Sequence, residues 1–103
     1  MGKYVYVYKG GSMPQTDAER EAVTAAWTNW IGDLGDAFVD VGNPFGPSAA
    51  VRADGSNGAA SSGLSGYSIV QAGSLDDAVG KAKGCPVFAG GGSVEVYETF
   101  EVM

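Results

Sequence analysis

A chain of 103 residues is the usual size of a single domain, so one core spanning 1–103 is expected. Hydrophobic residues make up 45% of it and charged residues 17%. A typical domain is about one quarter charged, so some apolar surface here calls for a partner. Six basic residues against twelve acidic ones give a net charge of −6, and Lys3, Lys9, Arg20, Arg52, Lys81 and Lys83 are scattered. Nucleic acid and anionic membrane surfaces both bind through clustered cations, so neither is an expected partner.

No stretch approaches the roughly 18 apolar residues of a membrane span. Met1-Gly2-Lys3 leads into a strand pattern instead of a signal peptide's apolar core, which points to a cytoplasmic protein. Cys85 is the single cysteine; it cannot form an internal disulfide, in keeping with a reducing compartment.

Lys3-Tyr4-Val5-Tyr6-Val7-Tyr8 reads as a strand ended by Gly10-Gly11. Both its faces are apolar, tyrosines on one and valines on the other, because successive side chains point to opposite sides. Thr16 with Glu19 three residues on forms a capping box that opens a helix. Val23, Ala26, Trp27, Trp30, Ile31 and Leu34 follow one helical face, and Gly32 and Gly35 bracket its end. Asp36–Val41 reads as a short second strand stopped by Gly42 and Asn43-Pro44.

Between Gly42 and Gly66 the composition turns to Gly, Ser, Ala, Asn and Pro. Ala49–Arg52 followed by Asp54-Gly55-Ser56-Asn57-Gly58 predicts an irregular hairpin. Gly66–Ala72 is a further strand, and Ser74 with Asp77 caps a second helix whose buried stripe is Leu75, Ala78, Val79 and Ala82. Ser93–Glu101 alternates as the last strand.

The order β-α-β-β-α-β, with an extra hairpin, predicts an α+β ferredoxin-like sandwich with two helices on one sheet face. The other face is then bare, and each large side chain left in water there forgoes roughly 1.5–3 kcal/mol of burial. A symmetric homodimer is the simplest remedy.

The opening Lys3–Tyr8 run, the helix with Trp27 and Trp30, Asp40-Val41-Gly42-Asn43-Pro44-Phe45-Gly46-Pro47, Gly66-Tyr67-Ser68-Ile69, and Lys83-Gly84-Cys85-Pro86 leading to Gly90–Val96 together resemble the YCII-related, or DGPF, family. The resemblance runs nearly end to end. It implies a dimeric α+β barrel joined sheet face to sheet face, with a cleft beside the first helix taken as the active site. The resemblance does not imply one reaction: some relatives are thought to pair a helix histidine with an aspartate on the following strand, and a dehydrochlorinase of chlorinated aromatics belongs to the wider family. This chain has no histidine, and of that pair only Asp40 corresponds. Members of this subgroup also resemble proteins encoded beside extracytoplasmic-function sigma factors, which implies a regulatory, partner-binding role.

Asp40 is placed by alternation beside Phe38, where a carboxylate among aromatic groups would act as a general base; the competing assignment is a cap on the Asn43-Pro44 turn. Trp27 and Trp30 either both pack in the core or divide, one lining a pocket near the second strand. Asn43, Ser48 and Tyr67 are the polar groups expected around a small ligand, unless they only bond their own turns. Cys85 without a histidine reads as a buried small residue. Gly90-Gly91-Gly92-Ser93 leads into a strand, so it is a sharp turn and not a phosphate loop. No metal or cofactor is expected. The function that follows is a homodimeric small-molecule-binding or structural domain; the alternatives are an acid–base, lyase-like enzyme using Asp40 and a regulatory protein.

Overall fold

The structure, a computed structural model, describes residues 2–11 and 14–102. In chain order its elements are β1 (Gly2–Lys9), α1 (Asp17–Leu34), β2 (Phe38–Asp40), β3 (Ala50–Val51), β4 (Asn57–Gly58), β5 (Leu64–Ala72), α2 (Leu75–Ala82) and β6 (Ser93–Glu98). Strands β2, β5, β1 and β6 lie side by side in that order as one antiparallel sheet, while β3 and β4 pair separately as the hairpin. Both helices cover one sheet face. This α+β arrangement is compatible with a ferredoxin-like sandwich.

Alternation along β1 decides which face is the core. Tyr4, Tyr6 and Tyr8 are buried with Val70, Ala72, Trp30, Ala78, Ala82, Cys85 and Val87. Tyrosine brings a large apolar body but a hydroxyl that must be bonded when buried. Tyr6 donates to the Ala78 carbonyl of α2, and Tyr8 donates to Ser68 Oγ at 2.8 Å, whose own hydroxyl donates to the Val41 carbonyl. Tyr4 donates to Glu98 at 3.3 Å. The hydroxyls therefore tie β1 to α2, to β5 and, through Ser68, to the end of β2.

Trp30 is the aromatic hub between sheet and helices. It stacks on Tyr6 with ring centres 6.2 Å apart and meets Trp27 and Phe38 edge-on at 5.6 and 5.3 Å. Its indole N–H donates to the Lys81 carbonyl at 3.2 Å, joining α1 to the last turn of α2. Both helices begin as expected: the Thr16 side chain accepts from the Glu19 N–H at 3.0 Å and the Ser74 side chain from the Asp77 N–H at 3.1 Å.

The opposite sheet face carries Val5 and Val7 of β1, Tyr67 and Ile69 of β5 and Tyr97 of β6, with register pairs Val5–Ile69, Val7–Tyr67 and Val5–Tyr97. Neither helix packs on this face; Phe45 stacks on Tyr67 at its edge, and Val5, Val7 and Ile69 are half-buried. Tyr97 is 54% exposed, and Val39, Val41 and Phe45 add exposed apolar surface at the β2 side. Lys9 and Glu95, 3.9 Å apart, mark the polar border near the start of β6, where Tyr97 also donates to Glu95.

Two strands differ from the sequence expectation. The second strand shrinks to Phe38–Asp40 because Gly35–Ala37 forms a 3₁₀ turn, which lets Phe38 reach Trp30. The register shifts between Phe38 and Asp40, so that Phe38 faces Val70 but Asp40 aligns with Ile69. Such a bulge breaks the alternation on which Asp40 was placed beside Phe38. The last strand stops at Glu98, where the Thr99 N–H and hydroxyl both donate to the Lys3 carbonyl, at 3.0 and 2.7 Å.

Two glycines separate backbone constraint from mere permissiveness. Gly42 has φ +79°, and a Cβ there would sit 1.8 Å from the Tyr67 carbonyl oxygen; Gly32, inside α1, has nothing within 4 Å. Gly42→Ala should lower stability by at least ~2 kcal/mol. Gly32→Ala should raise it by about 0.5–1 kcal/mol through helix propensity. Urea denaturation of both variants checks this pair of opposite signs.

Candidate functional site

The apolar stripe of α1 begins before its packing does. Trp30 is buried and Trp27, Ile31 and Leu34 pack partly on the core, but Val23 is 42% exposed and Ala26 is exposed too. The first half of α1 lies beyond the sheet, where β1 has ended at Lys9 and the chain turns away through Gly10 and Gly11, both at positive φ. The wall facing it is the 3₁₀ turn Pro86–Gly90. Between them runs an open groove of about 690 Å³, lined by Val23, Ala26 and Trp27 on one side, Pro86, Val87 and Ala89 on the other, and Gly10, Gly11, Pro14 and Ser65 along the rim.

Each wall has a local cause. Gly84 lets α2 end against Trp30, since a Cβ there would lie 3.3 Å from the indole Cδ1. Pro86 then opens the 3₁₀ turn, and Gly91 at φ +83° closes it. Gly92 allows β6 to start close beneath: a Cβ there would lie 2.6 Å from the Val87 side chain and 2.7 Å from the Lys9 carbonyl oxygen. On the helix side, Glu19 extends the capping box, its carboxylate accepting from the Gln15 N–H at 2.6 Å. Trp27 meets Tyr8 edge-on at 5.2 Å and so joins the groove to the core.

The candidate residues fall in different places. Trp27 lines this groove near the end of β1, not a pocket near β2 as expected, and Trp30 is buried with its indole N–H committed to Lys81. Tyr67 is on the opposite sheet face, stacked on Phe45 at 5.8 Å, so it cannot share a pocket with the tryptophans. The Asn43 backbone carbonyl accepts from the Tyr67 N–H at 3.3 Å, a long-range bond that sets these two candidates side by side at the edge of β5, and Ser48 is exposed in the following loop. Asp40 is exposed and accepts from the Gly42 N–H at 2.9 Å, the turn-capping geometry. Glu19, Pro86 and Val87 had no place in the expected pocket. The signal for them was a helical stripe starting two turns ahead of Trp30.

Cys85 is buried beneath α2, and burial pushes its thiol up to about 11, which leaves it protonated and a poor nucleophile. Among the described residues no three cysteine or acidic groups gather where a metal ion could be held, and no helix is long and apolar enough to cross a membrane. No protein-family model and no curated protein matches the chain.

Burial also raises the Tyr6 hydroxyl to about 12 and that of Tyr8 further still, so the folded core holds both tyrosines and Cys85 neutral. Each folded value lies above the ordinary 10.0 or 9.0. The folded state therefore binds more protons at alkaline pH, and the contribution is complete below about pH 9 and lost as pH rises through about 11–12. The urea midpoint should hold steady from neutral pH to about pH 8.5 and then fall, with most tyrosinate absorbance appearing only on unfolding. A midpoint unchanged to about pH 11 would contradict the buried tyrosine face.

Proposed function

We propose that the chain is the protomer of a cytoplasmic homodimer of the YCII-related type, joined through its bare sheet face, whose α1 grooves bind a small molecule without catalysis of their own. The surface area carries the first half. The protomer exposes 7004 Å². A compact monomeric protein of 10.5 kDa exposes about 5,400 Å². The excess, about 1,600 Å², is more than the roughly 800 Å² that one partner hides in an interface of standard size. The radius of gyration agrees: 15.2 Å against about 13 Å for a compact chain of this length.

A second copy suits the face because Val5, Val7 and Ile69 are apolar and central while Lys9 and Glu95 offer opposite charges at the border. An isologous contact meets its own surface, and a patch holding both signs avoids like-charge repulsion across the axis. The open apolar groove supports the second half, since ligand clefts are concave and mostly apolar with few polar groups. Asp40, exposed and committed to the Gly42 amide, lends no support to an acid–base role.

Light scattering on the eluting protein tests the assembly. The expected mass is about twice 10.5 kDa, reduced to the single-chain value by Val7→Asp with the far-ultraviolet spectrum retained. A wild-type mass of one chain at micromolar concentration would overturn the proposal.

A further inference from the structure

The groove beside α1 has an apolar bed and one charged group, and the sign of that charge selects among ligands. Resting on the proposal that this groove is a binding site, we infer that its ligand is an apolar small molecule with a cationic end, an amine attached to an aromatic or aliphatic body. Val23, Ala26, Trp27, Pro86 and Val87 provide the bed. Glu19 is the sole ionisable residue among the described residues that line the groove, and no lysine or arginine is among them.

The Glu19 charge is not cancelled locally. One carboxylate oxygen accepts from the Gln15 N–H, which orients the group without neutralising it, and Glu19 belongs to no ion pair among the described residues. The nearest cation in sequence, Arg20, sits 3.5 Å from Asp17 and belongs with it to the adjoining surface of α1 that also carries Glu21 and Thr24. A helix N-terminus by itself attracts anions, with an effective charge of about +0.5. Here the Glu19 carboxylate lies in the first turn and opposes it, and the Thr16 side chain already accepts from the Glu19 N–H. The whole chain, at −6, adds a field of the same sign.

Spacing sets the ligand's length. Glu19 and Trp27 are eight positions apart on one helix, which is about 12 Å of rise. A cationic end at Glu19 therefore leaves room for an apolar body the size of a fused two-ring system before Trp27 is reached. Trp27 thus meets the apolar body, and discrimination by charge rests on Glu19.

Three probes with one body and different ends test this: 2-(2-naphthyl)ethylamine, 2-(2-naphthyl)ethanol and 2-naphthylacetate, followed by the indole N–H resonance of Trp27. The amine should bind about fivefold tighter than the alcohol, and the alcohol about fivefold tighter than the carboxylate, with both gaps narrowing in high salt. Glu19→Gln keeps an oxygen acceptor for Gln15 and should abolish the amine's advantage while leaving alcohol affinity within about twofold. Val23→Arg should reverse the order in favour of the carboxylate. A wild-type protein that binds the carboxylate as tightly as the amine overturns the charge assignment and leaves the groove as a site. Failure of all three probes to shift Trp27 overturns the groove itself, and affinities that weaken as protein concentration rises would mean that a second copy fills it.

Discussion

The alternation of tyrosine and valine along β1 is the constraint from which the rest of the architecture follows. One strand, central in the sheet, presents a large side chain at every position from Tyr4 to Tyr8 and can bury only one of its two rows under its own helices. The tyrosine row takes the helices because its hydroxyls find partners there: the Ala78 carbonyl, Ser68 and Glu98. Trp30 fits against that row and reaches both Phe38 and α2. The valine row is left on the outside, and a domain with so little charge has nothing of its own to cover it.

The groove has a related origin. A core built on the tyrosine row ends where β1 ends, yet the amphipathic stripe of α1 runs on toward its N-terminus. Val23 and Ala26 are thus apolar residues with no sheet beneath them, and the Pro86–Gly90 turn supplies the second wall. The glycines around it serve close approach: Gly84 against Trp30, and Gly92 against Val87 and the Lys9 carbonyl. Apolar surface that the fold cannot bury is in this way gathered into one concave place and one flat face.

Much of the fold was legible in the sequence because its signals are local. The Thr16/Glu19 and Ser74/Asp77 pairs mark helix starts through bonds spanning three residues, and the alternation in Tyr4–Tyr8 marks a strand without reference to anything else. The Asp54-Gly55 turn of the hairpin is equally local, with the Asp54 carboxylate accepting from the Ser56 N–H at 2.9 Å. What the sequence did not reveal depends on distant contacts. The bulge between Phe38 and Asp40 arises from pairing with β5 and displaced Asp40 from the position that alternation assigned it. Tyr67 was grouped with Asn43, Ser48 and the tryptophans around one small ligand as a polar residue beside the glycine-rich segment, but strand parity puts it on the sheet face opposite the tryptophans. The groove joins α1 to a turn some sixty residues later, a juxtaposition that periodicity cannot express.

The central claim is that the valine face is covered by a second copy of the chain, and the most direct measurement is a search for contacts between copies at that face. In an equimolar mixture of isotope-labelled and unlabelled protein, isotope-filtered nuclear Overhauser spectra isolate proton contacts that cross from one copy to the other. Cross-peaks from the methyl groups of Val5, Val7 and Ile69 to an unlabelled copy are the predicted result. Their absence in a sample where those methyls contact only solvent and their own strand neighbours would contradict the account.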